Sequence, residues 1–594
     1  MKINRNKILL FFIIAIYNLP AVSQQNDSSE ETFLGIGSGN RRISKFQKSS
    51  IFPLNTDSIT IIENIKYYLE PKQQLISYKI EDIKPARLKI TANGEKLYRG
   101  YLKAGIGNYL TPLLDLNYAS KRSRDESWGL NSNMHGSFSN IKGMGNTKYS
   151  DFILGGYYQK FFLNYDFWSE IKYQRNSFQL YGVDYSDSLM YQFYDVDFND
   201  NSQLESFKDD DNLFKQNYDL FDMHLKFNSV NTGRDTNKIR IKSWVDYHHL
   251  NSNYNLSENH FLVGAHSGWL VLDEEFLATF EIDINNINAP SVMELDENKL
   301  IQPRSMSTKS SGILRLNPHI YSRKNNFIFK AGLSVQANIG EATKFHVFPD
   351  FDISYSLFND IFIPYGGWSG NVQRNTFNNI RLENPFISED SKLQNTIQKS
   401  NLFVGIRGSL SNKFTFNVST SFQKLDSMYF FVVDTISSYG NKFQMVYDNL
   451  RKNTFLAEIT YQENEKLKIS AKAEYFIYNL VNFNNAWQRP DFIFTLSGLL
   501  DLADKIILKS DIYFVGTRSS FSYSEPKVEN ELNGDKYIYD LKSFLDMNIS
   551  LEYRYTKKVS AFIQFNNFTG KKYQYWTNFP VQSINILGGV TFSF

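Results

Sequence analysis

From Leu545 onward the sequence sorts two chemistries onto alternate positions. Leu545, Met547, Ile549, Leu551, Tyr553 and Tyr555 share one side of an extended strand, and Asp546, Asn548, Ser550, Glu552 and Arg554 take the other. Successive strand side chains point to opposite faces, so the pattern describes a ribbon with one apolar and one wet surface; a helix would scatter both classes. The turn Thr556 to Lys558 leads to a second such strand, Val559 to Phe565, and a polar loop leads to a third, Ile584 to Phe594.

Segments of this kind, about ten residues long, recur from Leu97 at a spacing of roughly 15 to 35 residues, the signature of a barrel that crosses a membrane with strands. They predict strands near 98–107, 112–121, 126–138, 150–160, 162–183, 216–229, 237–249, 258–270, 275–285, 310–321 and 326–337. A second run is predicted near 342–357, 360–372, 400–410, 412–424, 443–462, 465–479, 490–501, 503–515, 537–555, 557–567 and 582–594. The fold class is all-β, a transmembrane antiparallel barrel of about 22 strands within a range of roughly 16 to 24; an even count closes with both ends on one side. Connections also alternate. Lys121 to Glu126, Tyr321 to Asn325, Leu357 to Ile361, Ser411 to Lys413, Glu463 to Lys466 and Ala503 to Lys505 are short, whereas 184–215, 286–309, 373–399, 425–442 and 516–536 are long and polar. Tight turns at one end and long loops at the other are a bacterial-barrel asymmetry that a soluble sandwich has no reason to show. Charges at Lys238, Arg240, Lys242, Lys468, Lys472 and Glu474 belong on the lumen side, because lipid would not accept them.

Composition fits this reading. Aromatics make up 16% of the 594 residues, with 37 Tyr and 50 Phe, yet mean hydropathy is mildly polar. An alternating barrel can be aromatic on average without ever being apolar in a block. A formal net charge of +2 leaves no global basic field for nucleic acid, and the absence of cysteine excludes disulfides, thiolate metal sites and cysteine nucleophiles.

The N-terminus divides in two. Met1 to Ser23 carries Lys2, Arg5 and Lys7, the apolar run Ile8 to Ile16, then the small residues Ala21-Val22-Ser23. This predicts a cleaved secretory signal, residues 1–23, cut between Ser23 and Gln24. A membrane anchor needs about 20 apolar residues, roughly twice that run, and no cysteine follows to carry a lipid. Residues 24–96 form a polar segment, broken by Pro71 and Pro85, and 97–594 is the barrel. A lumen of about 22 strands is wide enough to need obstruction, so 51–96 is expected to fold partly into it as a partial plug.

The run Phe565-Asn566-Asn567-Phe568-Thr569-Gly570-Lys571-Lys572-Tyr573 and the ending Gly588-Gly589-Val590-Thr591-Phe592-Ser593-Phe594 resemble the C-terminus of TonB-dependent receptor barrels. Lys84 to Leu88 followed by Leu97 to Tyr109, Glu383-Asn384-Pro385-Phe386-Ile387, and Gly405 to Leu410 resemble a shorter, plug-poor subgroup of the same family. The resemblance covers roughly 85–594. It implies residence in outer-membrane lipid of a Gram-negative cell, and passage or uptake of an unidentified solute. It also implies an assembly signal at Phe592 and Phe594 that the barrel-assembly machinery reads. Full receptors carry a folded plug and a short box that engages the TonB complex; Glu31-Thr32-Phe33-Leu34 sits where such a box would be. A passive porin-like or hydrophobe channel with an N-terminal hatch stays open as an alternative, as does a non-transport scaffold or surface-assembly barrel.

No catalytic constellation or cofactor motif accompanies this pattern. In 184–215 the carboxylates Asp209-Asp210-Asp211 and their neighbours, interleaved with Tyr185, Tyr191, Phe193, Tyr194 and Phe198, suit the oxygen-rich shell of Ca²⁺. They lack EF-hand spacing, and a solvated outer loop is the favoured reading. His248 and His249 are adjacent on a strand end, so their rings face opposite sides and cannot share an ion; they read as surface residues. Gly367-Trp368-Ser369-Gly370-Asn371 lacks the final glycine of a nucleophile elbow and falls on a barrel strand. Tyr573, Tyr575 and Trp576 are read as interfacial belt residues before a ligand platform.

Overall fold

The computed structural model describes residues 98–594, apart from 122, 183–199, 201, 204–209, 211–213, 230–238, 272–273, 296–300, 341, 435–437, 439 and 522–537. The segments expected at 1–23 and 24–96, with the Ser23/Gln24 cut and the box at 31–34, lie outside the described residues. So do Asp209 and Asp211, Lys238 and most of the loop 184–215.

Twenty-two strands form one antiparallel sheet that returns on itself. Each pairs with its sequence neighbour, and the first, Gly100–Gly107, pairs with the last, Asn585–Ser593, from Tyr101↔Ser593 to Gly107↔Leu587. Closure leaves no edge, which is the condition for strands to lie in lipid. Phe594 completes the seam. Its amide donates to the Gly100 carbonyl and its carbonyl accepts from the Gly100 amide, both at 2.9 Å. Its ring covers Gly100, where a Cβ would meet ring carbons at 2.2 Å, and stacks on Phe592 at 5.6 Å. Its carbonyl also accepts from the Arg99 amide at 2.9 Å, so removing Phe594 deletes three backbone hydrogen bonds at the seam and a lipid-facing ring, a loss of about 2–3 kcal/mol. The fraction of heat-modifiable, folded barrel on a semi-native gel is expected to fall several-fold.

All 22 predicted strands have an observed counterpart in the same order. The tight turns close as their residues allow: Asn325, between the paired Lys324 and Phe327, and Ala503-Asp504 take the left-handed φ that such turns require. The apolar face points outward. Leu402, Val404 and Ile406, Leu333 and Val335, and Leu545, Leu551 and Tyr553 are all exposed, and a continuous belt of this kind is lipid-facing surface. The inward face carries ion pairs, between neighbouring strands at Lys172–Asp222, 3.3 Å, and Lys330–Asp350, 2.7 Å, and across the intervening strand Ile506–Val515 at Arg554–Asp501, 3.5 Å. Arg240 meets Glu275 at 2.9 Å, and Lys472 meets Glu474 at 3.0 Å on its own strand. No helix among the described residues is long and apolar enough to cross a membrane.

Three expected boundaries change. Of residues 286–309, expected as a loop, 286–295 and 301–309 are the outer ends of the paired strands Glu274–Leu295 and Ile301–Lys324, matched from Glu275↔Tyr321 to Leu295↔Ile301. There the inward Ile287 and Ala289 pack into a buried apolar cluster while the outward Asn286 and Asn288 are polar, so the apolar face changes sides and the lipid-facing alternation stops while the pairing continues. Residues 425–442, also expected as a polar loop, belong largely to the strands Phe414–Asp434 and Lys442–Glu463. Phe430, Phe431, Val432 and Val433 are buried on both faces, and such a strand is a continuous apolar run without period. The strand expected over 537–555 is two elements. Ile538–Leu541 pairs with Arg518–Phe521 in a separate two-stranded sheet, and the barrel strand is Phe544–Arg554.

Candidate functional site

The long connections gather at the end of the barrel opposite the seam's termini, and the largest described one, between the strands Ile363–Gln373 and Thr396–Ser411, fills the opening there. It begins with a short helix, Phe377–Glu383, capped by Thr376, whose side chain accepts the Asn379 amide at 3.1 Å. Phe377, Ile380 and Ile387 are buried with Tyr218, Leu220 and Leu250 from one arc of the wall and Phe431, Val433 and Phe443 from another, together with Trp576 and Phe579 of the connection 567–584. A segment that touches strands so far apart around a closed sheet must cross its opening. The mouth is therefore closed by a small hydrophobic core of the chain's own loops.

Two buried wall carboxylates anchor this lid. Glu258, fully buried, accepts the amides of Phe377 at 2.8 Å and Asn378 at 2.9 Å, and the Asn285 side-chain amide at 2.9 Å. A carboxylate at these first-turn amides meets donors that the helix itself cannot satisfy. Asp283, also buried, holds Arg374 at 2.9 Å, His260 at 3.0 Å and Arg315 at 3.2 Å. Burial pulls the Arg374 guanidinium below its ordinary pKa, against the opposing pull of Asp283. On the opposite side Glu389 pairs with Lys442 at 2.7 Å, both fully inaccessible, and Ile387 makes a parallel bridge to Phe443. Glu383 is bonded by Arg489, from the connection 481–491, whose guanidinium also lies 5.2 Å from the Tyr429 ring. Burial is the largest influence on the Arg489 pKa and would lower it; Glu383, Tyr429 and Tyr478 together outweigh it and the net direction is up.

Beside the lid lies a cavity of about 510 Å³, within the range of small-molecule sites. Phe178, Tyr181, Phe386 and Tyr573 supply aromatic wall, and Arg381, Asp151, Asp546 and His135 supply charge or hydrogen bonding. Tyr573 donates to Asp546 at 3.0 Å and stacks on Phe544 at 3.9 Å. Burial, then Asp546, raises its pKa, which keeps the phenol a donor. A second, almost wholly polar cavity of about 470 Å³ lies between Arg315, Lys330, Asp350, Gln336 and Arg374.

The residues singled out from the sequence fare differently. Phe592 and Phe594 are exposed on the outer face at the seam. His248 and His249 do point to opposite faces, but His248 is not a surface residue. Its ring is 3.5 Å from Glu258 and 4.8 Å from the His260 ring, in the inner network, while His249 bonds Asn259 at 2.8 Å. An alternating strand hides which face is inner, and the lid that covers His248 is non-local. Tyr573 and Trp576 are not belt residues either: one lines the cavity and the other is buried in the lid core, leaving only Tyr575 exposed. Ser369 lies on the barrel strand Ile363–Gln373 beside the outward Trp368. Asp210 alone of its triplet is among the described residues. Glu258, Asp283, Arg374 and Arg381 carry no motif. Thr376 before an apolar helical turn, with Pro385 after it, was the available signal for the lid helix.

No family model matches this sequence, and no curated protein does. Solved structures do. The siderophore receptor PirA from Acinetobacter baumannii aligns at 9% identity with a TM-score of 0.62, covering 84% of this chain and 81% of that one. The pyoverdine receptor FpvA from Pseudomonas aeruginosa, bound to pyoverdine, aligns at 10% identity and 0.60, covering 84% and 79%. This is the TonB-dependent receptor barrel fold. The FrpB iron transporter from Neisseria meningitidis shares it at 11% identity and 0.57, covering 84% and 82%. At such identities the receptor-type barrel establishes architecture, and side-chain chemistry must be read from this chain.

Proposed function

We propose that this chain is an integral outer-membrane barrel that captures a solute at its loop-bearing end and passes it through the lumen. The observation that carries the reading is the mouth. A lipid-belted cylinder is closed by an anchored lid with a partly aromatic, partly charged cavity of about 510 Å³ beside it. A general pore has no use for such a lid, and a pure scaffold has none for a lined cavity. The solved barrels it resembles are named as receptors and transporters, for pyoverdine, for iron and for siderophores, which supports uptake over catalysis. The loop-bearing end faces outward, and the chain reaches the membrane by the N-terminal signal ending at Ser23.

Purified protein in planar bilayers is expected to show a low resting conductance with brief openings. A steady, large, ungated conductance overturns the capture reading in favour of an open porin, and a protein that stays monodisperse without detergent overturns the membrane reading altogether. We further propose that 51–96 obstructs the lumen from the turn end; its deletion is expected to raise conductance and antibiotic sensitivity, and unchanged permeability counts against it. Loss of uptake when the energising TonB complex is disabled identifies active transport; retention identifies passive passage.

A further inference from the structure

The guanidinium of Arg381 is built to meet something the described residues do not supply. Arg381 lies on the lid helix and is 4% exposed. Its Nη1 donates to Asn176 at 3.1 Å, and its charge sits 5.0 Å from the centre of the Tyr218 ring, so its plane is fixed. Nε and Nη2 are both buried and neither has a hydrogen-bond partner. Those two N–H groups form one side of the guanidinium fork, the side that receives a carboxylate in two parallel hydrogen bonds. Buried charged donors are ordinarily satisfied, and Arg381 lines the cavity of about 510 Å³.

The rest of that cavity narrows the class of occupant. Phe178, Phe386 and Tyr573 line it with ring surface that suits a planar body. Asp546 lines it too, with one oxygen held by Tyr573 and the other, Oδ1, buried without a partner, so that wall accepts a hydrogen-bond donor. Asp151 and Asp546 together disfavour a second negative charge on the ligand. We propose that the cavity binds a metal-free organic monocarboxylate with a planar, ring-sized body. Its carboxylate is received by Nε and Nη2 of Arg381, its ring packs against the aromatic wall, and a hydroxyl or ammonium group donates to Asp546.

This assignment rests on the solute-capture reading and is tested apart from it. The full chain in detergent is titrated calorimetrically with N-acetyl-L-tyrosine and with its uncharged isostere N-acetyl-L-tyrosinamide. The acid is expected to bind at least about tenfold more tightly than the amide. Arg381→Lys keeps the charge and loses the fork, and is expected to remove most of that preference while heat-modifiable migration stays unchanged. Because Arg381 also sits in the lid, Asp546→Asn gives an independent readout: it is expected to diminish the preference for N-acetyl-L-tyrosine over N-acetyl-L-phenylalanine. Equal affinity for acid and amide, no binding of the acid up to about 10 mM, or a preference untouched by Arg381→Lys overturns the assignment. Bilayer conductance on the same preparation separates the two ideas. Gated conductance without acid preference overturns only the ligand class, whereas an ungated open pore overturns the capture reading beneath it.

Discussion

Replacing Glu258 by alanine is expected to unlatch the lid without unmaking the barrel. The carboxylate satisfies two first-turn amides of the helix Phe377–Glu383 and one side-chain amide, in a position with no access to water. Alanine leaves all three donors buried and unpaired, at about 1–3 kcal/mol each if nothing rearranges. The lid avoids most of that cost by moving out, so the penalty appears as opening, on the order of 3–5 kcal/mol toward the released state. A shift of that size raises the open population by about two to four orders of magnitude. Hydrogen exchange in 374–395 is expected to accelerate accordingly, protease cleavage there to appear, and bilayer openings to become frequent or permanent. Glu258→Gln is expected to fall between, because it keeps one acceptor and turns a donor toward an amide. The strand pairs on either side of Ser257–Val271 are untouched, so heat-modifiable migration should persist. Unchanged exchange and conductance in Glu258→Ala would show that the apolar contacts of Phe377, Ile380 and Ile387 hold the lid by themselves.

What could be read from the sequence and what could not divides along one physical line. Wherever a strand stands between lipid and water, its two faces differ, and the sequence must alternate; Leu545 to Tyr555 and Leu402, Val404 and Ile406 are examples. That is why every barrel strand and the sorting of its turns were legible. Above the lipid the rule lapses. Along the paired segment that begins at Asn286 the inward Ile287 and Ala289 pack against the lid core and the outward Asn286 and Asn288 are polar, the reverse of the pattern below, and Phe430 to Val433 meets protein on both sides, so neither continues the lipid-facing alternation and both were read as loop. The candidate site is assembled across the cylinder from Asn176, Glu258, Asp283, Arg381 and Lys442, residues far apart in sequence and on different strands or loops. Each is an ordinary polar residue until closure of the sheet brings its partner opposite. Local periodicity carries no information about such pairings, and His248 illustrates the result: its strand was legible, whereas its neighbour Glu258 under the lid was not.

The Lys442–Glu389 pair on the opposite side of the lid should respond in a different way, because both of its members are charged. Lys442 and Glu389 are fully inaccessible, 2.7 Å apart, with the Tyr254 ring 4.0 Å from the ammonium. Removing two charges from water costs several kcal/mol each, and their attraction repays it only while both are present. Lys442→Met therefore strands Glu389, whose second oxygen already lacks a partner, and Glu389→Leu strands the ammonium. Each single change is expected to cost about 3–5 kcal/mol, whereas the double change to Met and Leu is expected to lie within about 1 kcal/mol of the parent or above it. The pair would then contribute register more than stability, since it sets which part of the lid lies beside Phe443 and its bridge to Ile387. Hydrogen exchange in 384–395 supplies the four free energies of the cycle, and a coupling of several kcal/mol is expected. If the double variant opens as readily as the sum of the singles, the two charges act independently and the lid's position is set elsewhere, by the Phe386 and Ser388 backbone bonds to Phe443.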